Sequence, residues 1–304
     1  MNRISCIILN YNDGETAWSL TEELSESRII TDLILVDNHS SDDSWKMLEN
    51  KVRSADQTNG PRLHFIRTEE NRGYGMGNQA GIDYALDQGA QDYLLIANPD
   101  IHVEDRCIRR IIEALEAEKT AAAASAMIHS TEERPLFSYW DLLSLPGDLM
   151  DTGLFTRRLF RRYLKTPENR LLAGADPASR IVGAVPGSFF VLKTAAFETE
   201  ELRQLFDPEV FLYYEEKILG KKLKDRGLKE LLVTDVSYIH AHSVSIDKSY
   251  RKIADKQRLL HKSKLYYYQT YLKAGPAAMA ASRIFLAVVM AEVRFLTEVL
   301  GIRW

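Results

Sequence analysis

Residues 4–13, ISCIILNYND, carry an unbroken apolar run straight into a polar turn. The same transition recurs at residues 33–38, LILVDN, and at residues 93–100, YLLIANPD, and another apolar run lies at 63–66. Short continuous apolar runs of this kind suit strands buried on both faces. The stretches between them, around 15–26, 42–53 and 77–88, have helical periodicity, and that alternation predicts a mostly parallel sheet flanked by helices. Ligands of open parallel sheets bind beyond the carboxyl ends of the strands. The polar groups that end these runs, Asn10-Tyr11-Asn12, Asp37-Asn38 and Asn98-Pro99-Asp100, are therefore expected to face one crevice.

Working outward, residues 130–180 read as irregular, broken by Pro135, Pro146, Pro167 and Pro177. Within them, 154–164 (LFTRRLFRRYL) sets Arg157, Arg158, Arg161 and Arg162 on one helical face and Phe155, Leu159, Phe160 and Tyr163 on the other. A surface helix packed through its apolar side is expected there, with a basic face toward acceptor phosphates or a membrane as the alternative. A second block holds a strand at 189–192, a helix through 214–226 and a strand near 231–239, with helices to the end. The segment 275–304 is interrupted by Arg283, Glu292 and Arg294, so its uncharged runs fall short of the roughly 18 residues a bilayer span needs. It fits an amphipathic helix that lies on a membrane or packs on its own domain. The expected division is a catalytic unit over 1–245 and a helical extension over 246–304.

The composition, 45% apolar and 27% charged over 304 residues, is that of a globular chain with material for a full core. Cys6 and Cys107 make neither a metal-ligand spacing nor a disulfide framework, and read as reduced core residues of a cytosolic protein. The N-terminus lacks the long apolar stretch and small-residue cleavage site of a secretory signal. Net charge is −4, yet residues 217–304 carry 17 basic against 7 acidic side chains while residues 1–216 carry 22 against 36. A basic C-terminal part without any nucleic-acid motif suits an acidic substrate or an anionic membrane surface better than nucleic acid, with a simple solvated helix face as the alternative.

Several residues could carry chemistry. Gly73 to Asn78, GYGMGN, follows the third apolar run and opens a helix, so it differs from a dinucleotide loop, which follows the first strand. Its backbone N–H groups suit a sugar or phosphate, with an ordinary tight turn as the alternative. Asp100 offers a hard oxygen ligand for a divalent cation that bridges a diphosphate; it could equally cap the helix that starts near Glu104. Glu215 and Glu216 sit beside an aromatic run at a helix start, where mutual repulsion and desolvation raise a carboxyl pKa toward that of a general base. Of His240 and His242, near a strand end, one is a candidate metal ligand.

In order, the blocks ILNYND, VDNHSSDDS, EENRGYGMGNQAGI, ANPD, VPGSFFVLKTAAF, FDPEVFLYYEE and IHAHSVS resemble the bacterial family 2 glycosyltransferases, especially their rhamnosyltransferase-like branch, over about residues 3–270. The resemblance implies a GT-A fold, Rossmann-like, with a C-terminal helical extension. It also implies an inverting transfer from a nucleotide-diphosphate sugar, dTDP- or UDP-linked, with dTDP-rhamnose the first choice. Asn10, Tyr11, Asn12 and Asp37 would hold the nucleoside, Asp37 facing the base. Asn71, Arg72, Gly73, Asn78 and Asn98 would line the rest of the donor, and Asp100 with His240 or His242 would hold Mg²⁺ or Mn²⁺. The family's base motif falls on Glu215-Glu216, with Glu216 where an Asp is expected and Ile218 in place of a further acid. The acceptor would be a glycan, or a glycan on a polyprenyl diphosphate, at the cytoplasmic face of the membrane. That altered block also leaves open a non-catalytic, donor-binding scaffold. A nucleotidyltransferase is disfavoured, because the turn after the first strand lacks a basic residue.

Overall fold

Strand β1 (Ile4–Asn10) is buried along its whole length, sending Ile4, Cys6 and Ile8 into one hydrophobic layer and Ile7 and Leu9 into another. That double burial is why the run is continuously apolar. The computed structural model describes residues 2–56, 58–241 and 253–299. Helix α1 (Gly14–Ser25), β2 (Asp32–Asp37), α2 (Ser44–Ser54), β3 (Arg62–Arg67), α3 (Tyr74–Asp87) and β4 (Tyr93–Ala97) complete the alternating half. The strands β3-β2-β1-β4 lie side by side and parallel, as the repeated run-to-turn pattern predicts.

The other half is mixed. After β5 (Ile101–His102) and α4 (Asp105–Ala117) comes β6 (Ala121–His129), then α5 (Leu145–Thr152), α6 (Leu154–Leu164), β7 (Leu172–Ala173), β8 (Ser179–Val182) and β9 (Phe189–Lys193). Then follow α7 (Thr199–Leu202), α8 (Glu215–Asp225), β10 (Lys229–His240), α9 (Ile253–Thr270) and α10 (Pro276–Arg294). Strand β9 runs antiparallel between β4 and β6, and β6 pairs in parallel with β10. Helices α1, α2 and α4 cover one face of the sheet; α3, α7 and α8 cover the other. A third cluster joins Leu149 of α5 and Ile218 of α8 to Tyr267 and Tyr268 of α9 and to Met279 and Leu286 of α10. The C-terminal helices therefore share a core with the segments around residues 145–152 and 210–218.

Three departures from the sequence reading have physical causes. The region 130–180 is not wholly irregular: it holds α5, with Pro146 in the first turn where a missing N–H costs nothing, and the short strands β7 and β8. Helix α6 forms at 154–164, but it does not pack through an apolar face. Phe155, Leu159 and Tyr163 are 71%, 64% and 84% exposed, and only Leu164 of the helix is buried. Nor does Asp100 cap α4; the N-cap position is Glu104.

Candidate functional site

Asn10 ends β1 with no exposed surface, and its amide donates to Asp37 Oδ1 at 2.8 Å and to Ser40 Oγ at 3.1 Å. Asp37 ends β2, equally enclosed, accepting the Ser40 amide and facing Arg67 Nε at 3.3 Å. Arg67 in turn lies over the Trp45 ring. Asn10 and Asp37 thus fasten two strand ends together. What the turn presents outward is Tyr11 and Asn12, the latter in the left-handed region at φ 54° and tied to the Ser41 amide.

The glycine-rich run performs a task that spacing alone does not reveal. Gly73 has φ 93°, and a Cβ there would stand 1.9 Å from the Phe211 carbonyl oxygen, which accepts the Tyr74 amide. Only glycine fits. The Gly73 amide itself donates to Asn71 Oδ1, and Asn38 bridges Asn71 and the Gly73 carbonyl. Two amides at the start of α3 are therefore committed to protein. Gly77 faces Leu9, and Gly81 faces Ile7, so close helix–strand packing accounts for those positions. Asn78 is fully buried, donating to the Tyr74 carbonyl while its Oδ1 has no hydrogen-bond partner among the described residues. Arg72 is exposed and Asn71 partly so.

Asn98 and Asp100 follow β4. The Asn98 amide donates to the Ser188 carbonyl at 2.8 Å, and Ser188 Oγ meets the Tyr238 hydroxyl at 2.7 Å. The two-residue strand β5 pairs antiparallel with the end of β10, setting Ile101 opposite His240. This brings His240 Nε2 to 3.3 Å from Asp100 Oδ1 across 140 residues of sequence. His242 lies outside the described residues.

Glu215 and Glu216 open α8 after Tyr213 and Tyr214, two consecutive residues in the left-handed region at φ 70° and 80°. Such backbone persists only where its surroundings hold it. Tyr214 donates to the buried Asp148 carboxylate, which also binds Lys217, Lys264 at 2.9 Å and Tyr268 at 2.7 Å. Helix α9 adds Ser263 Oγ on the Leu212 carbonyl and Tyr266 on Asp207, and Tyr271, just past its end, also donates to Asp207. The turn before the glutamates is braced from α5 and α9 together.

Burial raises the pKa of both glutamates. Glu215, 5% exposed, goes well above the ordinary range, with the Glu216 charge adding to it, and its Oε1 has no hydrogen-bond partner among the described residues. Glu216 is half-buried and also raised by burial, against opposing help from backbone N–H groups, Gly187 among them, and from the Lys217 charge. Glu215 therefore keeps its proton more firmly, and Glu216 is the member with access to a ligand. A Cβ at Gly187 would stand 2.7 Å from Glu216 Oε1. A third carboxyl, Glu230, fully enclosed and accepting the Val185 amide at 2.6 Å, lines the same small cavity, and burial pushes it up to about 8.

Gly187 and Ser188 thus join the two halves of the site. Gly187 touches Glu216 and its carbonyl accepts the Tyr74 hydroxyl, while Ser188 holds Asn98, two residues from Asp100. Neither residue was singled out by spacing, although both sit in the VPGSFF block. Nor was Asp148, which shows in the sequence only as one more surface-type acid.

Asp100 and His240 supply one hard oxygen and one imidazole nitrogen. Among the described residues no group of three or more His, Cys, Asp or Glu side chains could enclose a metal ion. Such a pair would suit a divalent cation that takes its remaining ligands from elsewhere.

The sequence model of Glycosyl transferase family 2 matches residues 5–175, more than half of the chain. The chain belongs to glycosyltransferase family 2. This family 2 chain is 28% identical over 111 residues to the low-salt glycan biosynthesis hexosyltransferase of Haloferax volcanii, a match covering 36% of this chain and 32% of that protein. It thus spans under a third of that relative. It is 23% identical over 234 residues to the N-acetylglucosaminyl-diphospho-decaprenol L-rhamnosyltransferase of Mycobacterium tuberculosis, covering 71% and 68% of the two chains. Among solved structures, GalNAc-T7 with UDP, GalNAc and Mn²⁺ superposes with a TM-score of 0.56 at 14% identity, over 88% of this chain and 50% of that one. The mannosyltransferase of Pyrobaculum calidifontis with GDP-Man and Mn²⁺ gives 0.55 at 14%, over 99% and 76%. At such identities the structures establish the GT-A-like fold that this family 2 chain shares with them.

Proposed function

We propose that the chain is an inverting hexosyltransferase that moves a sugar from a nucleoside diphosphate to a hydroxyl of a glycan, or of a glycan carried on a polyprenyl diphosphate, in cell-surface polysaccharide synthesis. The observation that carries this reading is the continuous contact path from Glu216 through Gly187 and Ser188 to Asn98 and the Asp100–His240 pair. On this reading Glu216 is the proton acceptor and Asp100 with His240 the cation-binding pair, on either side of one dipeptide. The name of the mycobacterial relative supports rhamnose from dTDP-rhamnose as the first donor to test, with UDP-sugars next.

In this reading Tyr11, Asn12, Asn71, Arg72 and Asn98 contact the donor, and the enclosed Asn10, Asp37, Gly73 and Asn78 keep that surface in shape. Asp100 and His240 hold Mg²⁺ or Mn²⁺, which when bound supplies positive charge to the diphosphate. Glu216 takes the proton of the acceptor hydroxyl. The hydroxyl oxygen forms its bond to the anomeric carbon as the carbon–diphosphate oxygen bond breaks, with the electron pair leaving on the diphosphate. Glu215, protonated beside it, keeps a second charge out of the pocket. Ile218, where the family pattern has an acid, is 2% exposed in the cluster shared with α9 and α10, so its replacement serves packing. Residues 1–245 form the catalytic unit and residues 246–304 the extension that braces it at the inner face of the cell membrane. Among the described residues no helix is long and apolar enough to cross a membrane.

Thermal stabilisation by nucleoside diphosphates and nucleotide sugars, each with and without Mn²⁺, tests the reading. A ligand at 100 times its Kd adds about 2.7 kcal/mol. Because the described residues offer the cation a pair of groups, Mn²⁺ alone should shift the melting temperature little, Mn²⁺ with the cognate nucleotide strongly, and Asp100→Ala should abolish the difference. No shift with any nucleotide would remove the donor site; binding without turnover would favour the scaffold.

A further inference from the structure

The face of α6 that lacks a packing partner is a stripe with helical spacing. Phe155, Leu159 and Tyr163 follow one another at four-residue intervals, all more than 60% exposed. No acidic residue occurs in 154–164, and residues 154–170 carry six basic side chains against the single acid Glu168. Helix α10 shows a second apolar stripe on its outer side, where Ile284 and Val288 are 68% and 63% exposed. The start of α6 rests on the packed side of α10, since a Cβ at Gly153, the residue before α6, would stand 3.3 Å from Phe285 and 3.5 Å from the buried Val289.

We propose that the outer face of α6 is a docking surface for a bilayer rich in anionic phospholipid, with Phe155, Leu159 and Tyr163 entering the headgroup region and the α6 arginines binding lipid phosphates. Large exposed apolar side chains beside a cationic face are the composition of helices that lie in the membrane interface. The charge selects lipid over a second copy of the chain, because an isologous contact would bring together two segments that each carry four arginines and no acid. The surface also stands near the proposed chemistry. Helix α5 is eight residues long, about 12 Å at 1.5 Å per residue, and links Gly153 to the region where Asp148 grips Tyr214. Docking would hold the Glu216 turn at a fixed height above the lipid surface. The contact itself requires no sugar chemistry, so it stands or falls apart from the transferase reading.

The test is co-sedimentation of the full chain with vesicles of phosphatidylcholine alone and with about 30 mol% phosphatidylglycerol, at about 0.05 and 0.5 M salt. Binding should require phosphatidylglycerol and weaken at high salt. Each arginine contributes about fivefold to partitioning, so Gln at 157, 158, 161 and 162 together should reduce it by at least about 100-fold. Phe155→Glu with Leu159→Glu should reduce it by a similar factor, and both variants should keep the nucleotide-induced thermal shift of the parent. Folded parent that stays in the supernatant with anionic vesicles overturns the proposal, as does binding that neither variant weakens. A dimer in light scattering that Phe155→Glu with Leu159→Glu dissociates, without vesicle binding, assigns the surface to a second copy instead.

Discussion

Glu216 is half-buried and Glu215 only 5% exposed, and the proposed division of roles, Glu216 as the base and Glu215 as its protonated neighbour, follows that difference. A general base works best with a pKa near the operating pH, and removing one commonly costs 10²- to 10⁴-fold. Glu216→Gln keeps the shape of the side chain, so donor affinity should hold within about twofold while transfer falls at least about 100-fold. In the parent, the acid limb of kcat/KM should lie above the usual carboxylate range, because burial raises Glu216. An unchanged turnover in the Gln variant, or a limb at an ordinary carboxylate position, would take the role away from Glu216. Gly187 governs where that carboxylate sits. With Gly187→Ala, the new methyl would meet Glu216 Oε1 at 2.7 Å. The flexible end of the glutamate would give way before the backbone, and a displacement near 1 Å costs on the order of 100-fold. Steady-state kinetics should therefore show a fall in kcat with little change in donor KM; equal kcat values would mean that the observed Glu216 position is not the working one.

At the level of elements, the turn at Tyr213 and Tyr214 is held by a buried charge cluster that ties α5, α8 and α9 together. Lys217 and Lys264 share Asp148 as counter-charge, and those two cations hold the Asp148 carboxyl well below its ordinary range despite burial. Asp148→Ala would leave two cations in the interior, a loss of about 3–5 kcal/mol that should lower the melting temperature on the order of 10 °C. Calorimetry of the variant tests this, and a loss under about 1 kcal/mol would show that the lysines find other partners. None of this cluster was legible in the sequence, because an ion pair across 69 or 116 residues leaves no periodic trace. Strands β1, β2 and β4 were legible because burial on both faces demands unbroken apolar runs, and β3, which is only partly buried, through its shorter run at 63–66. Strand β6, read AAAASAMIH, was not, since alanine has weak strand preference and only its place between β9 and β10 makes it one. The candidate ligands Asp100 and His240 were each visible as residue types at strand ends. Their meeting depends on β5, which at two residues is too short for any pattern to announce.

For the whole molecule, the buried carboxyls act on stability in opposite directions. Asp148 is depressed in the folded chain, so its contribution is present above the ordinary carboxylate pKa and is lost as pH falls. Glu215, Glu216 and Glu230 are raised, so their contributions are present at low pH and are lost as pH rises. Stability should therefore peak in mildly acidic solution and decline toward alkaline pH. Glu230 isolates the alkaline side, because its oxygen accepts the Val185 amide and, among the described residues, no cation offsets the effect of burial. The unfolded chain releases this proton near 4.5, whereas the folded chain keeps it until about 8. Between those values the folded state binds the extra proton, so unfolding free energy falls with each step in pH and reaches its floor above 8. In Glu230→Gln the amide oxygen can still accept from Val185, and no charge can form. Melting curves of parent and variant should nearly coincide at pH 5 and separate by pH 9, with the variant higher by on the order of 5 °C, the scale of a few kcal/mol for a chain of this size. Parallel curves at both pH values would mean that Glu230 releases its proton as readily in the folded chain as in the unfolded one, and that the carboxyl trio does not set the alkaline limit of the fold.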